Sequence, residues 1–204
     1  MRIIKASKIG EAWKKSLLEI YKRGEIIDDD KGKIKELLDF LIIVRRIEED
    51  DPIIKEYANK EAIEWMKKNF EKTEPINNWG YSYAQRLYNF LGINQIESIV
   101  QKLKKNPVAK SATISLMLPS DDTKHIPCLV ALDFKIRNKK LITTAFFRSQ
   151  DIGKKIYADA LVIKLLAGKI AEALSIPIGE FVFFIKSAHF YLDDLEQLKD
   201  ILKL

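Results

Sequence analysis

The one cysteine of this 204-residue chain, Cys128, stands directly after Pro127 at the opening of a strand-like run. A lone cysteine is either a small buried hydrophobe or a reactive thiol. The residues that bear on the choice follow it in order. Arg148-Ser149-Gln150-Asp151 ends the return arm of a hairpin, Asp159 lies on the helix after it, and His189 and Tyr191 stand on a later strand. Nucleophilic chemistry at sulfur runs through the thiolate, which needs positive charge close by, and Arg148 can supply it. His189 and Tyr191 are two residues apart and so share one strand face, where both can hydrogen-bond the same group. The alternatives are a surface ion pair for Arg148 and a satisfied core residue for His189. With one cysteine the chain can build neither an intramolecular disulfide nor a thiolate metal cluster, and no metal is expected.

Positioning these side chains takes a framework of both helices and strands. Ile9, Trp13, Leu17 and Ile20 recur at helical spacing, which predicts an amphipathic helix over residues 8–22 with Ser7 as its cap. A second helix is expected from near Lys33 through Leu41, changing to a strand at Ile42-Ile43-Val44, where the residues become β-branched. Residues 59–70 and 94–105 also read as helices. The second half turns to strands over 111–118, 129–136 and 141–147, with Arg137-Asn138-Lys139 as the hairpin turn. A long apolar helix is expected over 156–174, then a strand over 180–185 and a final helix from about Leu192. The predicted architecture is an α/β or α+β single domain spanning 1–204, with a central mixed β-sheet flanked by helices.

Composition narrows the function classes. Hydrophobic residues make up 47% and charged residues 31%, enough for a sizeable core under a solvated surface. The formal charge is +6, yet lysines alternate with acidic residues along the helices instead of forming one basic face, so nucleic acid is not the expected partner. A nucleotide phosphate suits the charge. No apolar run approaches the roughly 18 residues of a membrane span, and the N-terminal stretch lacks a secretory apolar core. A cytoplasmic location with no membrane partner is expected.

Together the motifs resemble the thymidylate synthase family. Ile93-Asn94-Gln95-Ile96, Leu103-Lys104-Lys105-Asn106-Pro107, Pro127-Cys128, Arg148-Ser149-Gln150-Asp151 and His189-Phe190-Tyr191 follow its pattern in order, over about half the chain. Upstream, Gly80-Tyr81-Ser82-Tyr83 looks like its glycine-x-x-tyrosine, and Glu36-Leu37-Leu38 like its glutamate-leucine-leucine helix. The resemblance implies that Cys128 adds to carbon 6 of a pyrimidine nucleotide, so that carbon 5 can attack an activated one-carbon unit. It implies that Arg148 and Ser149 contact the nucleotide phosphate and that Asp151 lies in the nucleotide site. His189 and Tyr191 would hold the sugar hydroxyl. Tyr83 would lie on the route of the carbon 5 proton, and Glu36 would organise water near the ring, unless it is a plain exposed helical glutamate. The implied co-substrate is a reduced pterin, and the implied assembly is a homodimer.

Three departures qualify this picture. Lys110 and Ser111 replace the family's paired arginines, which reach the phosphate of the neighbouring subunit, so one charge survives and a two-pronged donor is lost. The chain ends 13 residues after Tyr191, and Lys154 and Lys155 occupy a stretch usually given to a small glycine-containing loop. Methylenetetrahydrofolate therefore cannot simply be carried over, and the short archaeal branch suggests a methanopterin analogue. Finally, Asp159 stands where the family has asparagine; an ionised carboxylate only accepts hydrogen bonds and so matches the exocyclic amine of cytosine. If the alignment slips by one, Asp159 is a helix-surface residue instead. The expected activity is one-carbon transfer to dUMP, giving dTMP. The alternatives are dCMP methylation or hydroxymethylation, and an idle relative that binds nucleotide or RNA.

Overall fold

The computed structural model describes residues 1–203 except 77, 78, 121, 123 and 124. The chain begins with β1 (Arg2–Lys8), α1 (Ile9–Arg23), β2 (Glu25–Asp29) and β3 (Gly32–Arg46). Four helices follow: α2 (Pro52–Tyr57), α3 (Lys60–Glu71), α4 (Tyr83–Tyr88) and α5 (Gln95–Lys105). Then come β4 (Thr113–Ser115), β5 (Leu129–Arg137), β6 (Lys140–Asp151), α6 (Ile156–Ala173), β7 (Ile178–Tyr191), a short 3-10 turn and α7 (Leu195–Leu202). The strands form one seven-stranded sheet in the order β1-β3-β7-β6-β5-β4, with β2 also paired to β3. β1 runs parallel to β3 and β6 parallel to β7, while the other pairs are antiparallel. The two parallel pairs are the ones that need a crossover helix, and α1 and α6 supply it. This is the mixed, helix-flanked α+β sheet expected from the sequence.

Two local expectations are corrected. Lys33–Leu41 is not a helix but the first two-thirds of β3, a 15-residue strand. The Glu-Leu-Leu stretch has good intrinsic helix formers, yet β7 pairs along its whole length, with β2 on the other edge as far as Glu36 and β1 alongside from Phe40, and pairing in the sheet outweighs a local preference. The turn that feeds it carries Gly32 at φ +126°, a conformation open to glycine. Ser7 does not cap α1: it belongs to β1, and the cap position is Lys8, whose side chain makes no capping bond. Glu11 instead accepts the Ser7 backbone N–H at 2.9 Å. The expected strand over 111–118 shortens to β4, and the hairpin turn stands, with Asn138 and Lys139 both at positive φ as its two-residue type requires.

Apolar side chains of α1 and α6 cover one sheet face. Ile9, Trp13, Leu17 and Ile20 meet Phe40, Ile42 and Val44 of β3, and the almost wholly apolar α6 fills the centre of the core. The opposite face carries Ile3 at 49% and Phe184 at 42% exposure, with Phe146 stacked on Phe184 at 5.4 Å between ring centres.

Candidate active site

Strand register builds the site. β7 lies between β3 and β6, and the pairing sets Glu36 opposite His189 and His189 opposite Asp151. Residues directly opposite one another point to the same sheet face, so three polar side chains from distant parts of the chain form one row. Ser187 and Ser149 are paired in a neighbouring row. Ser187 Oγ donates to Glu36 Oε1 at 2.5 Å and lies 3.3 Å from His189 Nδ1. The Tyr191 ring meets the His189 ring edge-on, with centres 5.7 Å apart, as two residues on one strand face should.

Cys128 is half-buried immediately before β5. Its carbonyl accepts the Arg148 backbone N–H at 2.9 Å, which aligns the start of β5 with the end of β6. The Arg148 guanidinium then folds back over that start: Nε donates to Pro127 O at 3.1 Å, Nη2 donates to Ile126 O at 2.7 Å, and Nη2 lies 3.9 Å from Cys128 Sγ. Ser149 Oγ stands 3.5 Å from the same sulfur. One guanidinium therefore clamps the loop that carries the thiol and faces the sulfur with positive charge.

Tyr83, the first residue of α4, accepts the Leu129 backbone N–H on its hydroxyl at 3.1 Å, next door to Cys128. Among the described residues the hydroxyl has no other hydrogen-bond partner, so its own O–H can donate. Burial pushes the Tyr83 hydroxyl well above its ordinary pKa, and the nearby Cys128 and Asp159 add to the shift. Asp159, in the first turn of α6, is 3% exposed and accepts Gln150 Nε2 on Oδ2 at 2.7 Å. Burial raises its carboxyl to about 7, against the opposing pull of the Gln150 amide and the Lys155 charge. Asp159 is thus a buried residue, not a helix-surface one. Burial also raises the Asp151 carboxyl and lowers His189, each against the attraction of the other.

Glu36 joins the row from a strand instead of a helix. Lys110 does not join: it is exposed in the segment after α5. Lys154 is held by an ion pair with Asp194, and its N–H donates to Asp151 Oδ1 at 3.1 Å. Sequence reasoning missed Ser187, although its place two residues before His189 on the same strand marks it, and Gln150, which no spacing rule separates from its neighbours. It also missed the buried pair Arg86–Asp122, whose guanidinium lies 4.0 Å over the Tyr81 ring.

The arrangement offers a thiol faced by two donors, a tyrosine hydroxyl beside it, and a row of hydrogen-bonding groups on the adjoining strands. Comparison with known proteins agrees with it. The family model described as thymidylate synthase matches residues 31–204. Relatives that carry the name "Putative thymidylate synthase" align nearly end to end. That of Methanosarcina mazei is 34% identical over 206 residues, covering 99% of this chain and 95% of its own. That of Methanosarcina barkeri is 34% identical over 210 residues, with the same coverage. That of Methanothermobacter thermautotrophicus is 25% identical over 217 residues, covering 98% of both chains. With motif order, sheet architecture and full-length relatives in agreement, the chain belongs to the thymidylate synthase family.

Proposed function

We propose that this protein transfers a one-carbon group to carbon 5 of dUMP, giving dTMP, through an adduct between Cys128 and carbon 6. The observation that carries this reading is the Cys128 sulfur faced by the Arg148 guanidinium at 3.9 Å and the Ser149 hydroxyl at 3.5 Å. Addition of sulfur to carbon 6 shifts the ring electrons toward the carbon 4 oxygen and makes carbon 5 nucleophilic. Carbon 5 then attacks the one-carbon unit and loses its proton, for which the free Tyr83 O–H provides a hydrogen-bonded route. Ser187 holds Glu36 in the row beside His189, where the carboxylate can order water near the ring. Arg148 and Ser149 bind phosphate, Asp151 lines the site, and His189 with Tyr191 holds the sugar hydroxyl.

The donor on this reading is a reduced pterin, methylenetetrahydrofolate or a methanopterin analogue, which when bound would supply both the one-carbon unit and the hydride that reduces it to a methyl group. Cys128 leaves carbon 6 as its thiolate to release dTMP. The residues present fit a flat ring system: Trp65, Trp79, Tyr81 and Tyr83 form a run with successive ring centres 5.2, 6.1 and 6.1 Å apart, ending beside the thiol. Intact-mass analysis after incubation with 5-fluoro-dUMP and each pterin tests the reading. A stable adduct on the wild type and none on Cys128→Ser is expected, and no adduct with any combination would sink it. The carboxyl at position 159 favours a second reading, methylation or hydroxymethylation of dCMP. An adduct with 5-fluoro-dCMP alone would select that. The basic residues Arg45, Arg46, Arg137 and Lys140 line a groove of about 740 Å³ at the hairpin end of the sheet, away from Cys128. Charge at that end does not favour an idle nucleic-acid-binding role for the thiol site.

A homodimer completes the proposal. The uncovered sheet face with Ile3, Phe146 and Phe184 suits a self-complementary interface, and the exposed Lys110 is available to a partner's phosphate site. Light scattering is expected to give twice the chain mass of 23.6 kDa, and Phe184→Lys is expected to give the monomer. A wild-type monomer at micromolar concentration with nucleotide bound would refute it.

A further inference from the structure

Gln150 and Asp159 form a pair that the reaction scheme above does not use. Both are buried, at 2% and 3% exposure, and Gln150 Nε2 donates to Asp159 Oδ2 at 2.7 Å. We infer that Gln150 is a positioning residue that fixes the acid proton of Asp159 on Oδ1, so that a pyrimidine meets one donor and one acceptor instead of two acceptors. This rests on the proposed nucleotide reading of the same site.

The chemistry follows from the inventory of each group. The NH2 of an amide only donates, so the oxygen receiving it is best placed as the carbonyl oxygen of an un-ionised carboxyl, and the O–H then belongs on Oδ1. One neutral hydrogen bond is enough to bias the two placements roughly tenfold. Uracil presents a carbonyl acceptor at carbon 4 and an N–H donor at position 3, whereas cytosine presents the reverse order, an amine donor and a ring-nitrogen acceptor, so the oxygen on which Gln150 fixes the proton decides between them. The groups that face Asp159 are Gln150 and Asp151 from β6, Lys155 at the start of α6 and Tyr83 from α4. Burial outweighs Lys155 and Gln150 and holds the carboxyl at about 7, so it keeps its proton at lower pH and loses it above. An aspartate here can therefore present the pattern of an amide, and the reason for favouring cytosine, an ionised acceptor-only carboxylate, holds only on the alkaline side.

Nucleotide binding is then linked to one proton. With a raised carboxyl pKa, dUMP affinity is complete below about 7 and falls about tenfold per pH unit above it, because binding must return the proton. Calorimetric titration of dUMP and dCMP across pH, in two buffers of different ionisation enthalpy, reads this directly. At about pH 9 the wild type is expected to take up about one proton per site, and Asp159→Asn none. Gln150→Met removes the donor that favours the ionised form; its break in affinity should move to higher pH, and the ratio of dUMP to dCMP affinity at about pH 6 should move toward unity by roughly tenfold. A merely structural role would weaken both nucleotides alike without moving the break. The wild-type and Asp159→Asn titrations stand even if Gln150→Met does not fold. An adduct with 5-fluoro-dUMP together with pH-independent affinity, or an unmoved break in Gln150→Met, overturns this inference alone. Failure of both nucleotides to bind at any pH overturns the nucleotide reading and this inference with it.

Discussion

Exchange of Cys128 for serine is expected to lower turnover of dUMP by on the order of 10³-fold or more while leaving the fold in place. The side chain is half-buried, and serine differs from cysteine at one atom, so the packing of β5 against β6 should survive. The backbone bond from Arg148 N–H to the carbonyl of residue 128 does not involve the sulfur. What disappears is the nucleophile itself, since a hydroxyl is far less ionised than a thiol under the same conditions. Arg148→Lys gives the companion result: the charge stays, but a lysine cannot hold the carbonyls of Ile126 and Pro127 and face the sulfur at once. Its turnover should fall less than that of Cys128→Ser, with a weaker affinity for nucleotide. Steady-state kinetics with thermal melts on each variant measures both effects. Near-normal turnover in Cys128→Ser would remove covalent catalysis from the scheme.

Loss of Arg86 should cost about 3 to 5 kcal/mol of stability. Arg86 and Asp122 are 3% and 7% exposed, and the guanidinium contacts both carboxylate oxygens, at 2.8 and 2.5 Å, as well as the Leu116 carbonyl. Burial alone would raise the Asp122 carboxyl, but the bonds from Arg86 and the Leu118 N–H outweigh it and hold the group below its ordinary value. A depressed carboxylate contributes stability above the unfolded pKa and loses it as pH falls through the folded one, so this contribution should fade only in acid. Arg86→Leu strands the Asp122 charge in the interior, whereas the double variant Arg86→Leu/Asp122→Leu removes both charges and should recover much of the loss. The single change should also lower activity, because Arg86 stacks on Tyr81, the ring next to Tyr83. Urea denaturation of the three proteins is the measurement. A single-variant cost below about 1 kcal/mol would mean that water reaches the pair.

The sequence by itself determined the thiol and its company. Cys128, Arg148, Ser149, Asp151, His189 and Tyr191 lie on or beside segments whose local signals are strong: an alternating strand before a positive-φ turn, its return arm and a later strand. Such signals act over a few residues, and the order of the motifs along the chain supplied the rest. The helix over 94–105 was legible for the same reason, since Ile96, Ile99, Val100 and Leu103 make one buried stripe. Glu36 was misplaced because its environment is not local: the Glu-Leu-Leu stretch becomes a strand when β7 pairs along it and β2 pairs as far as Glu36, and no single-sequence pattern reports those partners.

Only the tertiary structure decided the protonation of Asp159. From the sequence it is an aspartate in a helix, ionised by default and therefore a pure acceptor. Folded, it loses its water and gains the Gln150 amide, and burial shifts its carboxyl to about 7, where donor and acceptor coexist. The row of Glu36, His189 and Asp151 has the same origin, for strand register brings Glu36 to one face with two residues that lie more than a hundred positions later in the chain. Side-chain type is written in the chain, but solvent exclusion and strand register are properties of segments that meet only on folding.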